Sequence, residues 1–235
     1  MNPVSAPSGA QGIPNGWVRQ DFLGGALCVP ERLAAAAGES LFDPGRPGAI
    51  PVGEGGRQAA WFVDGVHGPA VLRHYRRGGL RARFGRESYL WLGQARVRAI
   101  AELRVLGYLR DAGVRVPEPL GAAWWRAGLM YRNAILVARI AGAQALPSRL
   151  DRADPAKVAW AIAALHDAEV WHADLNAFNI LFDDRDRVWI IDFDRARVGP
   201  VSARARQENL LRLRRSLVKV AGARGEAWWN ELARS

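Results

Sequence analysis

The segment from Trp171 to Arg197 reads WHADLNAFNILFDDRDRVWIIDFDRAR, and it decides how the rest of the chain is interpreted. It contains His172-Ala173-Asp174, with Asn179 five residues beyond the aspartate. A charged turn and an apolar strand then lead to Asp192 and Phe193. This order of residues predicts a catalytic loop, a β-hairpin and a metal-binding aspartate.

Phosphoryl transfer explains both the residue types and their spacing. The reaction requires a carboxylate near the attacking hydroxyl and oxygen ligands for Mg²⁺. We therefore assign Asp174 to the hydroxyl proton, and Asn179 and Asp192 to the metal. The alternative is a polar turn ahead of a hairpin, with no catalytic role. The pieces agree in kind, order and distance, which favours the catalytic interpretation. His172 is expected to organise the loop by hydrogen bonding and not to transfer a proton.

The charge of the chain restricts its partners. The 235 residues carry a formal net charge of +10, and Lys157 and Lys219 are the only lysines. Such a balance suits nucleic acid, an acidic membrane surface or a phosphorylated substrate. No apolar run approaches the ~18 residues of a membrane span, and no signal peptide is evident, so we expect a cytosolic chain. The single cysteine, Cys28, excludes an internal disulfide and is expected to be a small buried side chain.

A glycine cluster precedes the first clear pair of strands. Residues 1–16 are rich in Pro, Ser, Gly and Asn, and we expect them to be disordered. Gly53, Gly55 and Gly56 then stand just before a predicted strand at residues 60–63. Glycines in such a turn let backbone N–H groups approach phosphates closely. The cluster is therefore a candidate nucleotide-binding turn, and the alternative is an ordinary turn.

The next predicted strand, at residues 70–75, carries Arg73. A strand in this position supplies the basic residue that holds nucleotide phosphates in a kinase-like fold. No lysine occurs before Lys157, so Arg73 is the candidate for that role. Apolar residues recur at helical spacing from Gln94 to Ala112 and predict a long helix that carries Glu102. We expect Glu102 to pair with Arg73 and fix its side chain. The alternative is a surface ion pair of Glu102 with a neighbouring arginine.

A dense basic loop follows this strand. Its arginines are Arg76, Arg77, Arg81, Arg83 and Arg86, around a pair of glycines, and the first four are the candidate binding residues. The functional interpretation is a clamp for an acidic substrate or for anionic lipid headgroups. The alternative is a solvated loop of an arginine-rich protein, because runs of charge usually face solvent.

The second half of the chain is predicted to be mainly helical. Residues 139–142 suit a hinge between two lobes. Asp154 and Pro155 predict the N-cap and first position of a helix. Two further helices are expected at 207–221 and 226–233, the last with Trp228-Trp229. Their apolar stripe is expected to pack on the C-terminal lobe, and contact with a membrane surface is the alternative.

Three motifs resemble those of a known family. They are VLRHYRRGG at 71–79, HADLNAFNIL at 172–181 and IIDFD at 190–194. Together they are similar to the bacterial 3-deoxy-D-manno-octulosonic acid (Kdo) kinase family, within the eukaryotic-protein-kinase-like superfamily. The resemblance places the family's catalytic aspartate on Asp174 and the superfamily's metal ligands on Asn179 and Asp192.

The resemblance implies a fold and an activity. The fold is α+β and two-lobed, like a protein kinase: a lobe at 17–138 with an antiparallel sheet and one long helix, a hinge at 139–142, and a mainly helical lobe at 143–235. The activity is phosphorylation by ATP, with Mg²⁺, of the 4-hydroxyl of Kdo on a lipid A precursor. The reaction belongs to lipopolysaccharide inner-core synthesis, at the cytoplasmic face of the inner membrane. The expected partners are therefore the Kdo-bearing lipid and an anionic membrane surface.

The chain departs from the superfamily pattern in four ways. Arg73 stands where lysine is usual, and Asp194 replaces the glycine after Asp-Phe. No Ala-Pro-Glu motif follows, and only a short segment remains after Arg197, which argues against a peptide substrate. Two alternative functions stay open: a kinase for a free sugar or an antibiotic, and a non-catalytic basic binding module. Since no RNA-recognition signature is present, no nucleic-acid partner is expected.

Overall fold

The computed structural model describes residues 13–52, 60–76 and 88–234. The chain forms two compact units. Unit 1 comprises Met1–Arg104 and Glu118–Arg139, and unit 2 comprises Val105–Pro117 and Ile140–Ser235. Of the segment 1–16, which was predicted to be disordered, residues 1–12 lie outside the described residues and residues 13–16 are described. Its last residue is ordered, because the Gly16 carbonyl accepts a hydrogen bond of 3.0 Å from the Glu31 N–H.

Unit 1 is built on one antiparallel sheet. Its strands are β1 Trp17–Phe22, β2 Gly25–Pro30, β3 Ile50–Pro51, β4 Ala60–Val63, β5 Ala70–His74, β6 Tyr89–Leu90, β7 Pro119–Ala127 and β8 Met130–Ala138. They pair in the order β1-β2-β7-β8-β5-β4-β3, and β6 pairs with β8.

The central strands of this sheet are buried, which is why they read as nearly continuous apolar runs. Six consecutive residues of β7, from Pro119 to Trp124, are buried. A hydrophobic core in unit 1 combines side chains from both of its chain segments. They are Leu27, Val29, Leu33, Leu41, Phe42, Val63, Ala70, Leu72, Leu120, Ala123, Ala134 and Leu136. Cys28 is fully buried, as predicted. Burial raises the pKa of its thiol to about 12, so this cysteine is an inert core residue.

The long helix, α1, spans Arg98–Asp111. The sequence predicted a start at Gln94, but residues 94–96 form a single 3-10 turn and Val97 is extended, with φ −64° and ψ 127°. The apolar positions that predicted the helix, Ile100, Leu103, Leu106 and Leu109, are all buried. The helix therefore begins four residues later than its apolar periodicity indicated.

Unit 2 is mainly helical. Its elements are β9 Gln144–Ala145, β10 Val170–Trp171, β11 Ile180–Phe182, β12 Val188–Ile190, β13 Arg197–Val198, α2 Leu146–Arg149, α3 Pro155–Asp167 and α4 Ala203–Leu232. The predicted start of α3 is confirmed, because Asp154 is its N-cap and accepts a hydrogen bond of 2.9 Å from the Ala156 N–H. Val158, Ile162 and Leu165 of α3 are buried, and α3 packs against α4.

The last helix begins earlier than predicted and is broken at Gly222. This residue has φ 55° and ψ −131°, a conformation that is open to glycine and strained for other residues. Beyond it the chain turns back closely, since a Cβ on Gly225 would lie 2.2 Å from the Leu217 carbonyl oxygen. Trp228 is buried and donates a hydrogen bond of 2.9 Å to the Ala153 carbonyl. Trp228 is thus a packing residue, and the alternative of membrane contact through a tryptophan pair does not hold for it.

The predicted α+β fold is confirmed: an antiparallel sheet with one long helix comes first, and a smaller helical part follows. The chain passes from one unit to the other after Arg104, after Pro117 and after Arg139. Among the helices in the described part of the chain, none has the length and apolar character required to cross a bilayer.

Candidate active site

The hairpin of β11 and β12 is held by one buried carboxylate. Asp183, 2% exposed, begins its turn and accepts hydrogen bonds from the backbone N–H groups of Arg185 and Arg187. It also accepts from the Arg187 guanidinium at 2.7 Å and from Trp189 Nε1 at 2.9 Å. Burial alone would raise the pKa of Asp183, but these hydrogen bonds lower it to about 2. The turn is therefore built around a carboxylate that is ionised at neutral pH.

His172 is the internal support of the predicted catalytic loop. Its side chain is fully buried and lies edge-on to the buried ring of Phe193, with ring centroids 4.9 Å apart. Nδ1 accepts a hydrogen bond of 3.1 Å from the Asp174 N–H, so the ring proton is on Nε2, which donates to the Ile191 carbonyl at 3.0 Å. Burial lowers the pKa of His172. The imidazole is thus neutral with both nitrogens occupied, in agreement with the predicted organising role.

The two predicted metal ligands lie on neighbouring stretches of backbone. The Ile191 N–H donates to the Asn179 carbonyl at 3.0 Å, which joins the end of β12 to the loop. Asn179 is buried, and its Nδ2 donates to the Asp174 carbonyl at 2.9 Å. Because this hydrogen bond uses the amide nitrogen, the amide oxygen is the atom left for a cation. Asp192 has a positive φ of 65°, a sparsely populated conformation that recurs at functional sites.

The side chain of Asp174 is open to solvent and has two polar neighbours. Its Oδ2 accepts a hydrogen bond of 3.1 Å from Asn176 Nδ2. Its Oδ1 accepts one of 3.1 Å from Nη1 of Arg212, on α4. The Asp174 side chain is 51% exposed, and the Arg212 side chain is 44% exposed. Asp174 is therefore oriented by hydrogen bonds and still accessible to a second molecule.

Helix α4 also supports the backbone of this loop. Asn209, 1% exposed, donates through Nδ2 to the His172 carbonyl at 2.7 Å, and its Oδ1 accepts from the His172 N–H at 3.3 Å. The same oxygen accepts from Nε2 of His166, which is consequently a structural histidine. Ser216 Oγ accepts from the Ala177 N–H at 3.1 Å. The sequence interpretation missed these contacts, although an asparagine inside a helix is a signal, since its helix propensity is low.

In unit 1, Arg73 of β5 pairs with Glu102 of α1, as expected from the sequence. Arg73 Nη2 contacts both carboxylate oxygens of Glu102, and its distance to Oε1 is 2.5 Å. Glu102 is 3% exposed and also accepts a hydrogen bond from the Tyr75 hydroxyl. The Arg73 guanidinium lies 5.0 Å from the centroid of the Tyr75 ring. The arginine fork is thus fixed on two sides.

Several predicted binding residues lie outside the described residues. These are Gly53, Gly55 and Gly56 of the glycine turn, and Arg77, Arg81 and Arg83 of the basic loop. Arg76 lies two residues beyond the end of β5 and is exposed. Roles in phosphate or lipid binding remain predictions for all seven residues.

The donor set of unit 2 fits Mg²⁺. In the described ranges, no group of three His, Cys, Asp or Glu side chains forms a complete metal cage. Mg²⁺ does not need one, because it is usually bound through one or two carboxylates together with substrate phosphates and water. Asn179 and Asp192 offer one amide oxygen and one carboxylate on hydrogen-bonded backbone segments. Both are oxygen donors of the kind that this cation prefers.

Comparisons with known proteins decide the family. The model of the lipopolysaccharide kinase (Kdo/WaaP) family matches residues 47–234. The chain belongs to this family. A relative in Stenotrophomonas maltophilia (strain R551-3) is 46% identical over 208 residues, 86% of this chain and 83% of its own length. A second, in Xanthomonas campestris pv. campestris (strain B100), is 45% identical over 212 residues, with 85% and 83% covered. Both relatives carry the name 3-deoxy-D-manno-octulosonic acid kinase.

The family assignment confirms two predictions. The resemblance drawn from the motifs of residues 71–79, 172–181 and 190–194 identified the correct family. The chain is accordingly an enzyme, a kinase of the lipopolysaccharide kinase family, so a purely non-catalytic binding module is excluded. The match covers β5, α1, the catalytic loop and α4, so it includes every element that carries the described site residues.

Proposed function

We propose that this kinase transfers the γ-phosphoryl group of ATP to the 4-hydroxyl of a Kdo residue on a lipid A precursor. The observation that carries the proposal lies within unit 2 of a lipopolysaccharide kinase: Asn179 is hydrogen-bonded to the Asp174 carbonyl and to the N–H of Ile191, the residue before Asp192. The names of the relatives supply the sugar. The reaction contributes to the inner core of lipopolysaccharide.

Asp174 acts on the acceptor hydroxyl. Its exposed carboxylate, oriented by Asn176, accepts the hydroxyl proton as the acceptor oxygen attacks the γ-phosphorus. The bond between the γ-phosphorus and the oxygen bridging it to the β-phosphorus breaks, and ADP leaves. The neutral His172 holds the backbone of the loop and exchanges no proton in this step.

The remaining assignments concern the nucleotide. Asn179 and Asp192 hold Mg²⁺, which when bound neutralises the negative charge of the phosphates. Arg73 contacts phosphate oxygens through its guanidinium, which Glu102 holds in place; Glu102 in turn accepts a hydrogen bond from Tyr75. Arginine can take this role because its fork matches phosphate oxygens, although it is larger than lysine. Gly53, Gly55 and Gly56 are proposed to approach the phosphates through backbone N–H groups.

The basic character of the chain suits its acceptor. A net charge of +10 favours an acidic glycolipid and the anionic surface in which it is embedded. We place the enzyme at the cytoplasmic face of the inner membrane as a peripheral protein. Arg76, Arg77, Arg81 and Arg83 are proposed to contact the acidic acceptor. A cationic aminoglycoside would be repelled by such a surface.

Mass spectrometry of the reaction product tests the proposal. Kdo–lipid A precursor incubated with the protein, ATP and Mg²⁺ should gain one phosphate, and an acceptor with a 4-deoxy sugar should gain none. Asp174→Asn should reduce the rate by about 10²- to 10⁴-fold, the usual contribution of a general base. Asp151→Asn is the matched control, since Asp151 is 81% exposed and pairs with Arg224. A near-normal rate in Asp174→Asn would refute the assignment of the base, and phosphate on soluble sugars alone would refute the acceptor.

A further inference from the structure

Three polar side chains of α4 lie on one face of the helix and meet the catalytic loop. Asn209, Arg212 and Ser216 are three and four residues apart, the spacing that aligns side chains along a helix. The outer two bind backbone groups of the loop, at His172 and Ala177. Arg212, between them, binds no loop backbone and donates instead to the carboxylate of Asp174. The contacts of Asn209 and Ser216 with the loop therefore hold the stretch of α4 that carries Arg212 beside the proposed base.

Arg212 differs from the other paired arginines of α4. Four of them bind carboxylates that have no part in the proposed chemistry; the pairs are Arg204–Glu208, Arg206–Asp167, Arg214–Glu226 and Arg224–Asp151. These contacts hold α4 together or attach it to neighbouring segments of unit 2. Among the described ion pairs of α4, the pair of Arg212 is the one that includes a proposed catalytic group. A purely structural role explains the other four pairs better than it explains this one.

The exposure of the pair leaves room for a third group. Arg212 and Asp174 are 44% and 51% exposed, so both can be reached from solvent. A guanidinium carries five N–H donors in a planar fork, and Asp174 occupies only Nη1. Its other donors suit a second anion, and a carboxylate, like a phosphate, matches the fork in a bidentate manner.

We propose that Arg212 binds the carboxylate of the acidic sugar that is phosphorylated. The inference rests on the proposed function, which makes the acceptor a sugar acid and Asp174 the base. One guanidinium then contacts both the base and the substrate anion. This bridge holds the sugar so that its reacting hydroxyl faces Asp174. Arg212 is thereby a specificity-determining residue, because neutral sugars lack the group that it recognises.

Coupling between the arginine and the substrate carboxylate provides the test. Steady-state rates are measured for the unaltered protein and Arg212→Gln with two acceptors: Kdo–lipid A precursor, and the same molecule with the Kdo carboxylate converted to a primary amide. With the acid acceptor, Arg212→Gln should raise the acceptor KM by about 10- to 100-fold, the range for a charged hydrogen bond. With the amide, the two proteins should agree within about twofold. The KM for ATP should not change with either acceptor.

Two further variants separate recognition from structure. Arg212→Lys keeps the positive charge and loses the fork, so it should show a smaller rise in KM with the acid acceptor and none with the amide. If Arg212→Gln does not fold, the same comparison with Arg212→Lys decides. Arg204→Gln is the matched control, because Arg204 lies on the same helix and is 89% exposed. It should leave both acceptor KM values unchanged.

Each result supports or overturns the inference. Equal losses in Arg212→Gln with the acid and the amide overturn it, since the arginine would then act through Asp174 alone. A raised KM for ATP with an unchanged acceptor KM also overturns it and moves Arg212 to the nucleotide. An unaltered protein that phosphorylates neither acceptor refutes the proposed function itself, and the inference falls with it. The first two results leave the proposed function intact, so the two failures are distinguishable.

Discussion

Two arginine–carboxylate pairs, one in each unit, differ in how far their carboxylates are buried. In unit 1, Glu102 is 3% exposed, receives Arg73 and also accepts a hydrogen bond from the Tyr75 hydroxyl. In unit 2, Asp174 and Arg212 are both about half exposed. The first pair is shielded on the carboxylate side, so its electrostatic attraction is strong and its geometry is rigid. The second pair is screened by water and can exchange partners at little cost.

This difference separates a positioning pair from a recognition pair. A carboxylate that is buried and accepts hydrogen bonds from two side chains serves to orient a cation, as Glu102 orients Arg73. A carboxylate that stays half exposed can receive a proton from another molecule, and its arginine can contact that molecule as well. The same two residue types thus serve different purposes because their burial differs. Three substitutions can test this comparison through stability.

Glu102→Gln should have the largest effect. The change removes a buried charge and its attraction to Arg73, which is expected to cost about 3 kcal/mol in the free energy of unfolding. Urea unfolding followed by tryptophan fluorescence measures it. Glu118→Gln is the control, because Glu118 pairs with Arg32 in the same unit and is 42% exposed. If both variants lost the same stability, burial of the carboxylate would not distinguish the pairs.

Asp183→Asn should have an intermediate effect that depends on pH. The pKa of Asp183 is lowered to about 2, whereas an unfolded aspartate titrates near 4. Its contribution is therefore complete above about pH 4 and is lost as the pH falls from 4 to 2. At pH 7 the substitution should cost about 2 kcal/mol, from the charge-assisted hydrogen bonds. Unfolding curves of both proteins should converge near pH 2, and a gap that persists there would argue against the ionised carboxylate as the source.

Arg212→Gln should have the smallest effect on stability. Exposed ion pairs contribute up to about 1 kcal/mol, and this one should fall within that range. Thermal unfolding in low and high salt should give nearly the same midpoint as for the unaltered protein. A loss comparable to that of Glu102→Gln would show that Arg212 is a structural residue, contrary to the role inferred for it.

The features predicted correctly from the sequence are those encoded locally. The N-cap at Asp154 and the apolar strand before Asp192 depend on adjacent residues, and the structure contains both. The pairing of Arg73 with Glu102 crosses 29 positions of sequence, but a basic strand followed by a helix was sufficient to anticipate it. Local spacing and element order together indicated the Arg73–Glu102 pair of unit 1 and the correct family.

The features that were missed depend on contacts between distant segments. Apolar periodicity placed the start of α1 at Gln94, because it cannot detect that Val97 is extended. The link from Arg212 to Asp174 spans 38 positions, and arginine is so common in this chain that no single one stands out. The hydrogen bond from Arg212 to Asp174 distinguishes this arginine in the structure, whereas the sequence alone does not.

The amide of Asn209 restricts how this chain can evolve. Its oxygen accepts from His166 and from the His172 N–H, while its nitrogen donates to the His172 carbonyl. Aspartate has nearly the same shape but, when ionised, no donor, so an oxygen would face the carbonyl. Asparagine and aspartate codons differ by one nucleotide, yet this step would disrupt the backbone that presents Asp174. A position on a polar, arginine-rich helix is thus as restricted in sequence as a position in the hydrophobic core.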